Sequence, residues 1–430
     1  MNDIEDIIED VFKIYLSSID SYNSKIFQIF NDKYTVIDKS MLAVYLFIKI
    51  IEDRNEKNEQ VTDVLSNYLL KQIIYSETGN ISFKVDDKLK ADIYHEILDK
   101  LILEKFEYKN RLMRKLKYNY KNIGLNKYNE LIMFLEDIAE FVIFQKMILR
   151  GNTEIETLYN SKKSEIINQL KTLDTNEYFY KEKKIMIDLI INDKFNESQY
   201  GNLMNVALNL KDVYRYSLVT TQLPENVLFH QYTVTIMSLL LAEYNNYELN
   251  ENIDIYNLIV KSLFHDFGEY KGTEIITQFK NYNDITKKMF AEIEANDEKE
   301  LQEKIGTNLY IIISQYKNGP EGYISEIIDK MQGIMKLWVE VGYFHNYTFI
   351  KTIDSIFQNR FKRFLRVYDI DGIKNKKFYL ELLRQYYIYI KEHLMEVDLE
   401  YFFKYFTEEE LEEFRQEIKL LKTNPESFLK

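Results

Sequence analysis

Residues that interrupt helices are very scarce in this chain. Only 3 of its 430 residues are Pro and 12 are Gly. Because Pro and Gly mark turns and helix ends, their scarcity favours long helices joined by short loops. Apolar residues recur at the three- and four-residue spacing of amphipathic helices in the stretches 41–51, 61–74, 131–149, 234–242 and 327–341. No stretch alternates apolar and polar residues between turn clusters as strands do. We therefore expect an all-α fold.

Charge and cysteine content narrow the class of protein. The formal net charge is −13, which disfavours nucleic-acid binding because that requires many Lys and Arg contacts to phosphates. The chain has no Cys, so disulfides and thiolate chemistry are excluded, and this fits a reducing cytosol. Its start, NDIEDIIEDVF, is acidic and amphipathic, unlike a signal peptide. No apolar run reaches the roughly 18 residues of a membrane span. We predict a cytoplasmic protein without membrane attachment.

Two His and two Asp in three helical stretches have the side chains that a divalent cation requires. Such a cation needs neutral imidazoles and ionised carboxylates that converge from different helices. His265 and Asp266 adjoin at the end of the apolar helix SLFHDFGEY. Neighbouring residues of a helix point about 100° apart, so both reach one ion only at a helix end or bend. His230 precedes the apolar helix QYTVTIMSLLLA, and Asp329 lies on an apolar face in IIDKMQGIMK, where an unpaired carboxylate is costly. A lone His is most often an ordinary core or surface residue, whereas the ordered set is more specific.

The ordered set and its flanking residues resemble the HD-domain metal-dependent phosphohydrolases, and among them the bacterial YfbR-like 5′-deoxynucleotidases. The resemblance covers roughly residues 210–349 and implies an HD-domain helical bundle. RYSLVTTQLPENVLFH resembles the family's Arg-aromatic-x-Leu stretch and the Glu-Asn-Val before its first ligand His, with Arg215 standing 15 residues before His230. HDFGEYKGTEI is similar to the family's HD-x-x-E followed by Gly-Asp-Ile. The family's late-Asp helix is matched by Asp329, Lys336, Glu340 and Asn346, while His345 replaces its usual Gly.

The resemblance assigns the metal and its chemistry. It implies that one divalent cation (Mn, Co, Mg, Fe or Zn) is ligated by His230, His265, Asp266 and Asp329. Positions would remain for water and a phosphate oxygen. Such a cation polarises a phosphoryl group and lowers the pKa of bound water. Asp266 and Glu269 would be the catalytic residues, because the family's matching Glu handles protons. Glu269 follows His265 by four residues, one α-turn on. Without the neighbouring pair it would be interpreted as a solvated helix residue.

Substrate contacts follow from the same resemblance. Arg215 would bind the phosphate bidentately, unless it forms an ordinary surface salt bridge. Tyr216 stands where the family has an aromatic residue near the sugar, although a core position is equally consistent. Glu274 replaces the family's Asp in Gly-Asp-Ile, and Lys280 could be a second phosphate contact. The family's Thr-Pro and the Ser after its first His are replaced here by Ile276, Thr277 and Gln231. These departures leave the identity of the substrate open.

The two halves of the chain share an order of apolar helical stretches. VIDKSMLAVYLFIKI, VLSNYLLKQIIYSETGNISF and LEDIAEFVIFQKMILRGN match, in order and rough spacing, the stretches around the second-half ligands. The first half has Lys39, Lys71, Gln72 and Tyr75 where the second half has His230, His265, Asp266 and Glu269. We interpret residues 1–200 as a degenerate copy without metal ligands, 201–360 as the intact HD domain, and 361–430 as a helical extension. Alternatively, the halves look alike because both bury one helical face.

The leading interpretation is a metal-dependent phosphohydrolase that acts on a small phosphorylated substrate, a (deoxy)nucleoside 5′-monophosphate. The alternative enzyme is a dNTP triphosphohydrolase, or another HD phosphodiesterase or pyrophosphatase. A cluster of several Lys and Arg around one pocket would favour a triphosphate, but only Arg215, Lys271 and Lys280 lie near the motif. The alternative of another class is a nucleotide-sensing or scaffold protein with a non-catalytic HD site. Because the family is generally dimeric, a chain with a fused copy is expected to be a monomeric pseudo-dimer or a homodimer.

Overall fold

The computed structural model describes residues 2–23, 25–29, 32–78, 126–216, 220–271, 282–346, 349, 352–353, 375–396 and 407–424. The elements up to residue 211 are α1 (Asn2–Asn23), β1 (Lys25–Ile29), β2 (Asp32–Thr35), α2 (Val36–Arg54), α3 (Glu59–Thr78), α4 (Lys127–Leu149), α5 (Glu156–Thr172), α6 (Tyr180–Ile191) and α7 (Gln199–Lys211). Those that follow are α8 (Val227–Glu248), α9 (Ile255–Phe264), α10 (Asp284–Ile305), α11 (Thr307–Ser314), α12 (Gly319–Gly342), α13 (Lys376–Glu396) and α14 (Glu408–Thr423). Short 3-10 turns cover Thr153–Ile155, Phe195–Glu197 and Phe267–Lys271.

The expected all-α fold is confirmed. The five stretches with helical spacing lie within α2, α3, α4, α8 and α12. The one departure among the described residues is a hairpin, in which β1 pairs antiparallel with β2 just before α2. Its strands have five and four residues, too few to produce a clear alternation in the sequence. None of the helices in the described ranges is long and apolar enough to cross a membrane.

Helices α2, α3 and α4 pack against one another in the first half of the chain. Helix α2 begins with a capping box, in which the Thr35 and Asp38 side chains accept hydrogen bonds from each other's backbone N–H groups. This arrangement satisfies two donors that a helix start leaves unpaired. Nearly all side chains of α2 are buried. It is therefore a central helix, because a surface helix would keep one polar face in water.

Helices α8, α9 and α12 form a second mutually packed set. The side chains of α8 are buried without interruption from Val227 to Ala242. Its polar Thr233 and Thr235 hydroxyls donate to backbone carbonyls of the same helix, so their burial leaves no unpaired donor. Helix α12 has Pro320 in its first turn, where the missing N–H costs nothing. Of the predicted metal ligands, His230 lies on α8, Asp329 lies on α12, and His265 and Asp266 directly follow α9.

Helix α1 joins the two sets, because it packs against α3, α8 and α13. Its buried residues recur at helical spacing: Ile7, Ile8, Val11, Phe12, Ile14 and Tyr15. The Phe12 ring lies 5.1 Å from the Trp338 ring of α12, measured between centroids. Buried apolar side chains from α1 through α14 form one connected cluster. The described parts of the chain therefore pack against each other, as the lack of a Gly-, Ser- or Pro-rich linker indicated.

Candidate metal centre

The ends of two helices and the middle of a third position the four predicted ligands. Asn226 caps α8 by accepting a hydrogen bond from the Phe229 N–H at 2.8 Å, and His230 is the fourth residue of that helix. Helix α9 ends at Phe264, and His265 follows directly as its C-terminal cap. The helix end that two adjacent ligands require is therefore present.

The coordinating atoms of the four residues lie close together. His230 Nε2 is 3.1 Å from His265 Nε2 and 3.1 Å from Asp329 Oδ1. Asp266 Oδ2 lies 3.2 Å from His265 Nε2 and 3.5 Å from His230 Nε2. Potential ligand atoms of His230, His265 and Asp266 all fall within 4.8 Å of one another. The structure thus brings the predicted set together from three helices.

The hydrogen-bond partners of the two Nδ1 atoms define which nitrogen of each imidazole faces the cluster without a proton. His265 Nδ1 lies 2.7 Å from the Ser262 carbonyl, which can only accept, so this nitrogen carries the proton. His230 Nδ1 lies 2.8 Å from Gln332 Oε1. The Gln332 amide is oriented by its Nε2, which donates to Glu225 Oε2 at 2.9 Å. In the neutral state, both imidazoles therefore direct an unprotonated Nε2 toward the cluster.

This donor set fits a divalent cation. Two nitrogen lone pairs 3.1 Å apart repel each other unless a positive charge lies between them or one ring is protonated. The carboxylates of Asp266 and Asp329 beside them add negative charge, which strengthens the need for a cation. Imidazole nitrogens held by a second hydrogen bond and carboxylate oxygens are common ligands of Mn, Fe, Co and Zn. The geometry is therefore suited to a metal but does not select one.

The pKa values of the two histidines shift in opposite directions. Burial and the charge of Arg215 lower the pKa of His230. Burial acts in the same direction on His265, but the neighbouring Asp266 carboxylate outweighs it and raises the pKa of His265 to about 8. His230 is therefore less basic than an ordinary imidazole, and His265 is more basic.

The two carboxylates remain ionised. Burial alone would raise the pKa of Asp266, but His265 holds it well below its usual range. The pKa of Asp329 is likewise low despite burial, chiefly because of Lys330. Lys330 Nζ lies 2.6 Å from Asp329 Oδ2, and Asp329 Oδ1 is the atom that faces the histidines. Lys330 was not among the predicted site residues, although its position next to Asp329 was visible in the sequence.

Arg215 lies in the cluster rather than in an ordinary surface salt bridge. Its backbone N–H donates to the Glu225 carbonyl at 2.8 Å, which fixes the chain beside the start of α8. The guanidinium Nη1 is 3.3 Å from Asp266 Oδ2 and 3.7 Å from Asp329 Oδ1. Its Nε is 3.7 Å from Glu225 Oε1. Arg215 therefore borders the predicted ligands, where it could contact a phosphate.

Tyr216 packs against the helix that carries Asp329. Its hydroxyl donates to the Gly333 carbonyl at 3.4 Å, and its ring is partly buried against the core. Its φ of 58° lies in the left-handed region, where non-Gly residues are uncommon. A Cβ at Gly333 would lie 3.3 Å from the hydroxyl, so Gly at this position permits the close approach. The partly buried Tyr216 side chain therefore contacts α12 at Gly333, one helical turn beyond Asp329.

The expected placement of Glu269 is wrong in one respect. The α-helical phase ends at Phe264, and residues Phe267–Lys271 form a 3-10 turn. The Glu269 N–H donates to the Asp266 carbonyl at 3.0 Å. With three residues per turn, Glu269 follows Asp266 in register and is not one α-turn beyond His265. Glu274 and Lys280 lie outside the described residues.

Lys271 forms ion pairs away from the ligand cluster. Its Nζ lies 2.6 Å from Asp297 and 2.5 Å from Glu300, both on α10. These partners direct the Lys271 ammonium toward α10 and not toward the ligand cluster. Of the three cations noted near the motif, the described residues place only Arg215 beside the ligands.

A buried ion pair on α12 holds the loop that leads to α8. Lys336 Nζ lies 2.5 Å from Glu340 Oε1, and both side chains are fully buried. The Glu340 carboxylate accepts the backbone N–H groups of Gln222 and Leu223 at 2.9 and 2.8 Å. Lys336 also donates to the Leu223 carbonyl. The sequence had indicated both residues only as matches to a motif, and their structural role is to fix this loop.

The described part of the chain also shows polar residues that sequence reasoning missed. Gln332 and Glu225 orient His230, as described above. Glu225 lies in the Glu-Asn-Val stretch, but that pattern gave it no role. Gln332 stands three residues after Asp329, a spacing that places two side chains on one helix face. That spacing was the available signal.

Comparison with known proteins gives one match. Residues 202–367, 166 of the 430 residues, match the family model described as 5′-deoxynucleotidase YfbR-like. No curated protein and no solved structure gives a significant match to the chain. The matched segment contains the four predicted ligands together with Arg215. Residues 202–367 are therefore similar to the YfbR-like 5′-deoxynucleotidases, the branch of HD-type hydrolases that the order of motifs indicated.

Proposed function

We propose that this protein is a metal-dependent phosphohydrolase that cleaves the phosphoester of a nucleoside 5′-monophosphate, with or without a 2′-hydroxyl. The observation that carries the proposal is the convergence of two imidazole Nε2 atoms and two carboxylates beside a partly buried Arg215. The similarity of residues 202–367 to a 5′-deoxynucleotidase family supports the same chemistry.

The proposed ligands are His230, His265, Asp266 and Asp329. When bound, a divalent cation supplies a Lewis acid for a phosphoryl oxygen and for water. The two histidines keep Nε2 available because their Nδ1 protons are held by Gln332 and by a backbone carbonyl. The ionised carboxylates supply negative charge, so the site does not need to recruit a further anion to hold a dication.

The proposed substrate contacts surround this ligand set. Arg215 binds phosphate oxygens by exchanging part of its contact with Asp266 and Asp329, because a guanidinium forks readily onto a phosphate. Tyr216 borders the sugar, and Glu269 moves a proton to or from the reacting oxygens. Glu274 and Lys280 remain sequence-based proposals for further contacts.

The charges near the site favour a monophosphate over a triphosphate. A triphosphate carries more charge and requires several cationic side chains, whereas Lys271 is already engaged by Asp297 and Glu300. Among the described residues, Arg215 and Lys330 lie at the ligand cluster, and Lys330 pairs with Asp329. A nucleotide sensor would not need the complete ligand set together with Arg215 and Glu269, so we favour an enzyme.

The test is phosphate release from a panel of deoxy- and ribonucleoside mono- and triphosphates with Mn²⁺, Co²⁺, Mg²⁺ or EDTA. The wild type is compared with Asp266→Asn and with the control Asp193→Asn. Asp193 makes the same change possible on an exposed side chain. We expect metal-dependent release from monophosphates that is lost only in Asp266→Asn. Release of tripolyphosphate alone would move the assignment to a triphosphohydrolase, and metal binding without turnover would favour a sensor.

We also propose that the first half is a degenerate copy, so that the chain is a pseudo-dimer. Lys39 is the fourth residue of α2, as His230 is the fourth residue of α8. Burial and the charge of Lys39 lower the pKa of Lys71, which Glu136 of α4 counteracts. Two lysines and a glutamate on α2, α3 and α4 would then replace the ligands that α8, α9 and α12 carry.

Hydrogen bonds between the halves support the same proposal. Tyr45 of α2 donates to the Leu263 carbonyl at 3.2 Å, two residues before His265. Tyr232 of α8 donates to the Leu69 carbonyl at 3.1 Å, two residues before Lys71. The two acceptors occupy matching positions of the proposed repeat. The donors are placed differently, because Tyr45 stands six residues after Lys39 and Tyr232 stands two residues after His230, so the two contacts are alike in their acceptors alone.

Light scattering after size exclusion tests the pseudo-dimer. We expect the mass of a single chain at micromolar concentration, because the interface that joins subunits in a dimer would already lie within the chain. A strict homodimer whose contacts involve exposed residues of α8, α9 or α12 would contradict the proposal. Crosslinking mass spectrometry of the same sample would locate such contacts.

A further inference from the structure

We propose that Tyr15 of the first helix is a positioning residue for the metal ligand His230, acting through Glu225 and Gln332. The inference deepens the proposed function, because it concerns the same metal site. Tyr15 lies outside residues 202–367, the segment that matches the 5′-deoxynucleotidase family. The contact is therefore supplied by the additional N-terminal part of this chain.

A continuous set of hydrogen bonds joins the two residues. The Tyr15 hydroxyl donates to Glu225 Oε2 at 3.2 Å. Gln332 Nε2 donates to the same oxygen at 2.9 Å, and Gln332 Oε1 accepts from His230 Nδ1 at 2.8 Å. All four side chains are at most 1% exposed. Water cannot readily substitute for a missing partner in this chain of contacts.

The direction of each hydrogen bond fixes the next one. Glu225 Oε2 accepts hydrogen bonds from the Tyr15 hydroxyl and from the NH₂ group of Gln332, so it determines which end of the Gln332 amide points toward it. The oxygen of the same amide then faces His230, and Nδ1 must carry the proton. His230 consequently presents an unprotonated Nε2 to the cluster, where that atom lies 3.1 Å from Asp329. Outer partners of this kind set the tautomer and orientation of a metal-binding histidine.

Tyr15 keeps Glu225 in the orientation that this relay, the hydrogen bonds from Glu225 through Gln332 to His230, requires. Glu225 Oε1 forms no hydrogen bond with any described residue, and Arg215 Nε lies 3.7 Å from it. Without the hydroxyl, only Gln332 would hold Oε2, and the carboxylate could turn toward Arg215. Burial and the charge of Glu225 raise the pKa of Tyr15, so its hydroxyl keeps the donated proton at physiological pH.

Helix α1 holds Tyr15 in place independently of the metal site. Phe12, one turn earlier, packs its ring edge-on against Trp338 at 5.1 Å between centroids and lies 5.9 Å from the Tyr386 ring. These contacts anchor α1 to α12 and α13. The hydroxyl of Tyr15 is therefore delivered by a rigid element, as a positioning group must be.

The test measures Mn²⁺ affinity by electron paramagnetic resonance on the full chain, without any substrate. Tyr15→Phe removes only the hydroxyl, and Tyr232→Phe removes one from an equally buried tyrosine that bonds a backbone carbonyl. Loss of an outer partner typically weakens metal binding about 10-fold or more. We expect that increase in the Mn²⁺ Kd for Tyr15→Phe, and a Kd within about twofold of wild type for Tyr232→Phe, with similar melting temperatures. An unchanged Kd, or equal changes in both variants, would overturn the inference.

A double-mutant cycle separates the relay from a general loosening of the fold. Gln332→Met removes the amide with little change in volume, and it should weaken Mn²⁺ binding by itself. If Tyr15 acts through Gln332, then Tyr15→Phe has no further effect in the Gln332→Met background. Additive losses would refute the relay. Failure of the wild type to bind Mn²⁺ would contradict the proposed function itself, and that result is distinguishable from an unaffected Tyr15→Phe variant.

Discussion

Replacing Lys336 by Met should destabilise the protein because it breaks a buried ion pair. Lys336 and Glu340 are one helical turn apart on α12, their charged atoms lie 2.5 Å apart, and neither side chain is exposed. Met has a similar length and no charge. The substitution therefore leaves Glu340 as a buried carboxylate without its cation, a situation that costs about 3–5 kcal/mol in other proteins.

The structure places the expected loss at the lower end of that range. Glu340 retains the backbone N–H groups of Gln222 and Leu223 at 2.9 and 2.8 Å, which continue to stabilise its charge. We therefore expect a loss of about 3 kcal/mol. If the chain unfolds as one unit, an unfolding entropy of about 2.1 cal/mol/K per residue gives roughly 0.9 kcal/mol/K for the whole chain. The melting temperature should then fall by about 3 °C.

Differential scanning calorimetry at pH 7 measures this shift. The matched control is Lys13→Met, which breaks an exposed pair of the same spacing, with Glu9 at 3.5 Å and both side chains about half exposed. Exposed pairs contribute about 0.3–0.5 kcal/mol, so the control should melt within about 1 °C of the wild type. A Lys336→Met variant that melts no lower than the control would show that the buried ion pair does not stabilise the fold.

Four further outcomes are expected. Burial by itself raises the pKa of Glu340, but the hydrogen bonds that Glu340 accepts lower this pKa overall. The stabilising effect of the Glu340 carboxylate is therefore present above about pH 4.5 and is lost as the pH falls further. The difference in melting temperature between wild type and Lys336→Met should narrow below that pH. Gly333→Ala places a Cβ 3.3 Å from the Tyr216 hydroxyl; steady-state kinetics should show a changed KM for nucleotides, while an unchanged KM would exclude Tyr216 from the substrate pocket. Tyr45→Phe removes the hydroxyl that contacts Gln231 Oε1 at 2.7 Å and the Leu263 carbonyl at 3.2 Å and should cost about 1 kcal/mol in denaturant unfolding without altering Mn²⁺ affinity. Mn²⁺ at 100 times its Kd should stabilise the fold by about 2.7 kcal/mol, whereas a melting temperature insensitive to Mn²⁺ and EDTA would count against a metal site.

The helical architecture and the ligand set were accessible from the sequence because both depend on local or ordered signals. Apolar spacing identified α2, α3, α4, α8 and α12, whose burial pattern is set along each helix. The ordered motif gave His230, His265, Asp266 and Asp329, and the structure brings these side chains together. The order and spacing of the motif residues predict that these side chains lie close together, because the motif belongs to helices that pack in one arrangement.

The remaining features depend on long-range packing or on changes of helix type. Tyr15 and Glu225 are 210 residues apart, so no sequence window contains both. Glu269 was placed on the His265 face because apolar spacing does not reveal where an α-helix gives way to a 3-10 turn. Lys271 was noted in the sequence as a cation near the motif, and the structure pairs it with Asp297 and Glu300 instead. Charge partners of surface lysines are set by the tertiary fold.

Phosphate release from a 2′-deoxynucleoside 5′-monophosphate by the full chain in the presence of Mn²⁺ tests the proposed metal-dependent hydrolysis most directly. We predict turnover in the wild type, abolished by EDTA and restored by added Mn²⁺, and at least about 100-fold slower turnover in Asp266→Asn, since a ligand to the catalytic cation would be lost. Equal rates in wild type and Asp266→Asn, or turnover that persists in EDTA, would contradict a metal-dependent phosphohydrolase at His230, His265, Asp266 and Asp329.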